Sequence, residues 1–142
     1  MSKSDYLEAE ILALLFNADP IPNLADNAST SPLTQLYVSL HESALDDTST
    51  QVTGETAYTN YVRVGVARTA GGWTLTGNSI SPVADIDFAT VGAGTGTITH
   101  VGIGVAASGA GQLLYHGALS PSISYSAGTT PKVTAGSTIT ED

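Results

Sequence analysis

The sequence predicts an all-β protein: an antiparallel β-sandwich or barrel-like domain of about seven to nine strands, preceded by one N-terminal α-helix and an extended arm. Three observations carry this prediction. From Thr34 onward apolar residues alternate with polar ones, which is the period of a half-buried strand. Glycine, proline and asparagine interrupt that alternation roughly every 8 to 15 residues, as turns do. After the first segment no helical period intervenes. The composition agrees, with 19 Thr, 15 Ser and 15 Gly beside one Trp and two Phe.

The helix comes first. Ser4 is placed to cap it, and Asp5 and Glu8 lie in the first turn, where negative charge favours a helix N-terminus. Leu7, Ile11, Leu14 and Leu15 fall at i, i+4, i+7 and i+8, one apolar stripe. Leu12 and Phe16 widen it. The stripe has two readings: it covers one end of the β domain, or it packs on another subunit. Asn17 to Pro20 sets the stop, because the residue before Pro20 avoids helical geometry. Residues 17 to 33 hold three prolines, three Asn and small polar residues, and read as an arm with reach. The expected boundary therefore separates residues 1–33, helix and arm, from residues 34–142, the β domain.

The strands follow in order. Leu36, Val38 and Leu40 alternate with Tyr37, Ser39 and His41, a half-buried strand. Residues 44–53 are a polar, acidic loop. Tyr58, Tyr61, Val62, Val64 and Val66 predict a second, longer strand. Gly71-Gly72 turns into Trp73 and Leu75, and Gly77-Asn78 turns again. Ile80, Val83, Ile86 and Phe88 are short strand material broken by Pro82. Residues 98–105 make a strong strand with glycines inside it, and residues 113–119 make the next. Ile123, Tyr125, Lys132, Val133 and Ile139 close the chain with one or two more. No internal repeat is present.

A chain of 142 residues is one ordinary domain in size, and such a chain buries roughly 70% of its unfolded surface. With no cysteine, disulfides, zinc–thiolate sites and cysteine nucleophiles are excluded. Four Lys+Arg against 13 Asp+Glu give a net charge of -9. So acidic a surface repels phosphate backbones and anionic lipid, so neither nucleic acid nor a membrane is an expected partner. No apolar run approaches the roughly 18–20 residues of a membrane span. The opening Met-Ser-Lys-Ser-Asp lacks the basic region of a signal peptide, so none is expected.

The chemistry-bearing residues are few. His41, His100 and His116 each fall on a predicted strand, at spacings that match no metal motif. Structural or interface histidines are the expectation. No Gly-x-Ser-x-Gly elbow exists to present a serine nucleophile. Gly102-Ile103-Gly104-Val105-Ala106-Ala107 spells a dinucleotide fingerprint, but no helix follows it and no acidic residue stands between Asp87 and Glu141. Glycine inside a strand instead implies close backbone approach or a bulge. Asp85 and Asp87 share a face by alternation, and Asp46 and Asp47 share a loop, yet neither pair completes a calcium pattern. Paired carboxylates with Trp73 or the tyrosines as a sugar platform lack a fixed separation. The sequon Asn27-Ala28-Ser29 has no meaning without secretion. No catalytic residue, cofactor, metal or small-molecule substrate is therefore expected.

Several segments together resemble a family of small tailed-bacteriophage virion proteins. Its members are often labelled tail fibre proteins, and related β proteins serve as capsid cement or decoration proteins. The resembling residues run from Leu36-Tyr37-Val38-Ser39-Leu40-His41 through an acidic loop to Gly54-Glu55, Tyr58 and Tyr61-Val62-Arg63-Val64. Trp73, Asn78 and Ile86-Asp87-Phe88 follow. Thr97-Ile98-Thr99-His100-Val101-Gly102-Ile103, Ala107-Ser108-Gly109 and Leu113-Leu114-Tyr115-His116-Gly117-Ala118-Leu119 complete the pattern. The match covers roughly residues 34 to 120, by order and spacing of motifs. It implies a structural, non-enzymatic role. The expectation is a cement protein, a homotrimer bound to the outer surface of the phage's major capsid protein lattice, in a virion assembled in the host cytoplasm. The alternative is a tail-tip or tail-fibre module that binds a host receptor. Leu7, Ile11, Leu14 and Leu15 are the expected subunit-interface residues.

Overall fold

The computed structural model of the chain describes residues 4–21 and 32–141. Its elements are helix α1 (Asp5–Leu12), a π-helical turn (Ala13–Asn17), and strands β1 (Gln35–His41), β2 (Val64–Ala67), β3 (Trp73–Thr76), β4 (Ser79–Pro82), β5 (Ile86–Asp87), β6 (Gly96–Gly104), β7 (Leu113–Tyr125), β8 (Lys132–Val133) and β9 (Ile139–Thr140). The described residues thus form the expected all-β class with an N-terminal helix. The strands make three sheets, ordered β2-β1-β6-β7, β3-β4-β9 and β5-β8. Most of the arm, and the sequon, lie outside the described residues.

By packing, the chain forms two units. The first takes Met1–Gln35, Ala67–Ile86 and Thr134–Asp142; the second takes Leu36–Val66 and Asp87–Val133.

In the first unit, Ser4 caps α1 as expected, its hydroxyl accepting from the Leu7 N–H at 3.4 Å. The helix loosens into the π-helical turn and stops at Ala18, whose φ of 58° is left-handed. The stop falls within the predicted stretch from Asn17 to Pro20. The face turned into the unit carries Leu12 and Phe16, both 0% exposed. Phe16 meets Trp73 edge-on, with ring centroids 4.7 Å apart. Burying each such ring stabilises by about 2 kcal/mol, and the edge-to-face contact adds about 1 kcal/mol. Gly77-Asn78 turns β3 into β4, and β4 pairs with β9. Leu7, Ile11, Leu14 and Leu15 lie beside this core and are half-buried.

In the second unit, β1 and β6 pair antiparallel from Tyr37 opposite Gly104 to His41 opposite His100. β1 is not half-buried as its alternation predicted. From Val38 to His41 every residue is buried, on both faces; on the face of Ser39 and His41 the segment that carries Thr53 packs against the strand. The predicted strand beginning at Tyr58 shortens to Val64–Ala67. Asn60 takes a left-handed φ of 81°, and the Tyr61 N–H donates to the Tyr58 carbonyl. This turn leaves Val62 63% exposed. β7 is longer than predicted. It continues past Ser120-Pro121 to Tyr125, with its register against β6 shifted between Ile98 and His100.

Candidate functional site

The polar side chains of the second unit form three clusters. The first stands on β1 itself. Ser39 and His41, two residues apart, point to the same face, and both are 0% exposed. Ser39 Oγ lies 2.8 Å from His41 Nε2, and His41 Nδ1 lies 2.8 Å from the Thr53 carbonyl oxygen. A carbonyl only accepts, so Nδ1 carries the proton and Nε2 accepts from the serine hydroxyl. Burial pushes the His41 pKa below its ordinary value, although the Thr53 bond opposes this. The pair has the contact of a nucleophile and its base, but it is sealed. A Cβ on Gly102 would come within 2.8 Å of His41 Nε2 and 2.9 Å of Ser39 Oγ. Glycine at 102 is what lets β6 lie over the pair. The strand glycines predicted to mark close approach do so.

The second cluster centres on Arg63. Its guanidinium grips Glu55 with two 2.7 Å bonds, Nε to Oε1 and Nη2 to Oε2. It also donates to the carbonyls of Ala106 at 2.9 Å and Gly109 at 2.8 Å. Tyr61 donates to Glu55 at 2.9 Å and accepts from the Leu40 N–H at 3.0 Å. Burial drives the Tyr61 pKa far up, and the hydrogen bonds that Arg63 donates to Glu55 hold Arg63 above its ordinary value. Such a charge-assisted fork fixes the 55–63 loop against the 106–109 turn.

The third cluster borders a shallow depression of about 520 Å³, lined by Glu42, Glu55, Tyr58, Gly94 and Tyr125 among others. Glu42 Oε1 accepts from both Thr56 Oγ1 and the Tyr125 hydroxyl at 2.6 Å. Tyr125 is pushed up by burial first and by this bond second. Tyr58 and Tyr125 are 5% and 7% exposed, so neither ring offers a face on which a sugar can stack. Trp73, 1% exposed in the first unit, is no platform either.

The remaining sequence candidates disperse. Asp85 accepts from the Ala135 N–H, and Asp87 lies 3.4 Å from Lys132. Asp46 caps its own loop, accepting from the Thr48 N–H and from the hydroxyls of Thr48 and Ser49, which hold its carboxyl below the usual range. Among the described residues, no group of three or more His, Asp or Glu is arranged to hold a metal ion, and no helix is long and apolar enough to cross a membrane. The alternation along β1 was the signal for the Ser39–His41 pair. Nothing local marked the Glu55–Arg63 fork or the Glu42–Tyr125 bond, which join residues from separate turns.

The fold and these clusters define a β protein whose polar side chains fasten loops to one another. The family model described as Podophage GP4 fiber I protein gp80 matches residues 2–141. The chain belongs to that family, and is a bacteriophage virion structural protein. No curated protein matches it significantly.

Proposed function

We propose that this virion protein works by contact alone, with no reaction, as a capsid cement protein. It assembles as a homotrimer and binds the outer surface of the major capsid protein lattice. One observation carries the reading: the described residues form two small β units with loops pinned by internal hydrogen bonds and no shaft-like repeat. Many modest contacts, repeated over a shell, resist rupture through avidity. The net charge of -9 keeps many closely spaced copies soluble. Residues 1–33 are the element that joins subunits. Leu7, Ile11, Leu14 and Leu15, half-buried in the single chain, supply the apolar surface that a neighbour completes.

A second reading, a tail-fibre module that meets a host-surface receptor, is favoured by the word "fiber" in the family description. An image reconstruction of the particle carrying this protein separates the two. Density over the outer capsid, at local threefold positions, supports cement. Density confined to the tail overturns it and leaves the fibre reading.

A further inference from the structure

Several departures from ordinary geometry meet at the end of α1. Ala13–Asn17 is π-helical, a rare form that occurs most often at functional sites. Ala18 closes the turn with a left-handed φ of 58°, a conformation that is costly for a residue with a side chain. Among the described residues, the buried side-chain atoms without a hydrogen bond are Asn17 Oδ1, on that turn, and Trp73 Nε1, on the strand whose ring Phe16 meets. Each bare group weakens the state that buries it. Glu8 adds to them. Glu8, Leu12 and Phe16 form the stripe that the helix buries, and no described residue bonds the Glu8 carboxylate.

What holds the helix down is of a different kind. Leu12 and Phe16 press on the face around Trp73 and Ile80, and Arg68 donates to the Leu14 and Leu15 carbonyls at 2.6 Å. Apolar packing and main-chain carbonyls are presented identically by every copy of the chain. We propose that α1 and its π-helical turn are exchanged between copies: the segment leaves the β3–β4 face of its own chain, and that face receives the same segment from a second copy. The occupant follows from identity, because a segment that fits this face from within one chain fits it from another with no new surface. From Asn17 to Leu33 the chain can span about 50 Å when extended, enough to reach a neighbour. Charge agrees. Copies with a net charge of -9 repel over their surfaces, and the exchange joins them through apolar side chains and an arginine instead. Arg68, which also donates to its own Leu33 carbonyl, then closes the neighbour's helix end. The exchange deepens, and rests on, the reading that residues 1–33 join subunits.

The test uses the purified full chain, which has no cysteine and one tryptophan. Tyr6 is 60% exposed, so a nitroxide attached to Tyr6→Cys leaves the fold intact. It sits about 15 Å along the helix from Phe16, near enough to broaden the single indole N–H resonance of Trp73. Isotope-labelled chains carrying the nitroxide are refolded alone, as the reference, and then with a large excess of unlabelled wild-type chains. In the mixture, exchange seats the nitroxide helix on an unlabelled copy and an unlabelled helix on the labelled Trp73. Most of the indole intensity is therefore expected to return. Intensity that stays lost overturns the proposal. Light scattering on the same sample separates the failures: in an oligomer the loss refutes exchange alone, and in a monomer it also refutes the reading that residues 1–33 join subunits. Asn17→Leu supplies the second readout, since it keeps the volume and removes a bare acceptor. Amide exchange in residues 5–17 is expected to slow about tenfold; unchanged or faster exchange overturns the account of why the helix leaves. None of these readouts involves a virion, so the failure of this contact and the failure of the cement reading are distinguishable.

Discussion

The two units solve the same problem with different materials. The first is held mainly by rings and aliphatic chains, with Leu12, Phe16, Trp73 and Ile80 all 0–1% exposed, although Glu8 is buried beside them. The second buries Ser39, His41, Gln51, Thr56 and Arg63 among its apolar residues and must satisfy every one. Gln51 illustrates the demand, accepting from the Ala106 N–H at 2.9 Å while fully enclosed. Yet both units use arginine alike. Arg63 closes the Ala106 and Gly109 carbonyls in the second, and Arg68 closes those of Leu14, Leu15 and Leu33 in the first. The lesson is that an apolar core tolerates loss by volume, whereas a polar one fails by leaving a partner bare.

The comparison breaks most visibly at Trp73. Trp73→Ala is expected to cost about 4 kcal/mol through the cavity it leaves under Phe16. Amide exchange should show protection lost in β3 and β4 before β6. Equal loss in β6 would mean that the units open as one, and the contrast would be void. Next comes Arg63→Met, which keeps the volume but leaves the Glu55 carboxylate half-enclosed without its cation. About 3 kcal/mol is expected in denaturant unfolding. Arg68→Met, which removes donors from the carbonyls of Leu14, Leu15 and Leu33, is the comparison in the first unit, and a smaller loss is expected there.

Acid sharpens the contrast by a smaller amount. The folded pKa of His41 is depressed from 6.5 by burial. The unfolded chain therefore binds the extra proton first. The stability His41 contributes is present above pH 6.5 and is lost as pH falls below it, by at most about 1.4 kcal/mol per pH unit. His41→Asn should flatten the stability profile between pH 6.5 and 5, measured by urea midpoints. A slope that survives the substitution assigns the acid response elsewhere. The smallest effect belongs to Ser4→Ala. Its 3.4 Å capping bond is long, so about 0.5 kcal/mol is expected, seen as extra exchange in the first turn of α1 alone.

Much of the fold was legible because alternation is a local signal. The capped helix, the Gly77-Asn78 hairpin and the long runs of β6 and β7 all follow from residues next to one another. The glycines at 102 and 104 were legible for the same reason, and Gln51 turns out to be what approaches Gly104. The split into two units was not legible. Each is assembled from pieces distant in sequence, and the chain crosses between them at 35, 66, 86 and 133. The Tyr58–Val62 stretch misled because its aromatic and β-branched residues favour strands, while Asn60 bends the backbone and tyrosine hydroxyls are drawn to Ala89 and Glu55 instead. The three clusters stayed hidden because a carboxylate's partner is chosen by the turn that delivers it. The length of β7 was half-read: Ser120-Pro121 looks like an ending, and the strand passes through it.

The hydrogen-bonded arginines also decide how the protein meets a trypsin-like protease. Such an enzyme cuts after lysine or arginine, and the chain offers it only Lys3, Arg63, Arg68 and Lys132. Arg63 cannot enter a protease cleft without leaving Glu55, nor Arg68 without leaving the carbonyls of the π-helical turn. Digestion at these two residues therefore waits on local opening, one in each unit. The rates at which the two cuts appear, in unaltered protein, time the opening of the ring-packed unit and of the hydrogen-bonded one separately.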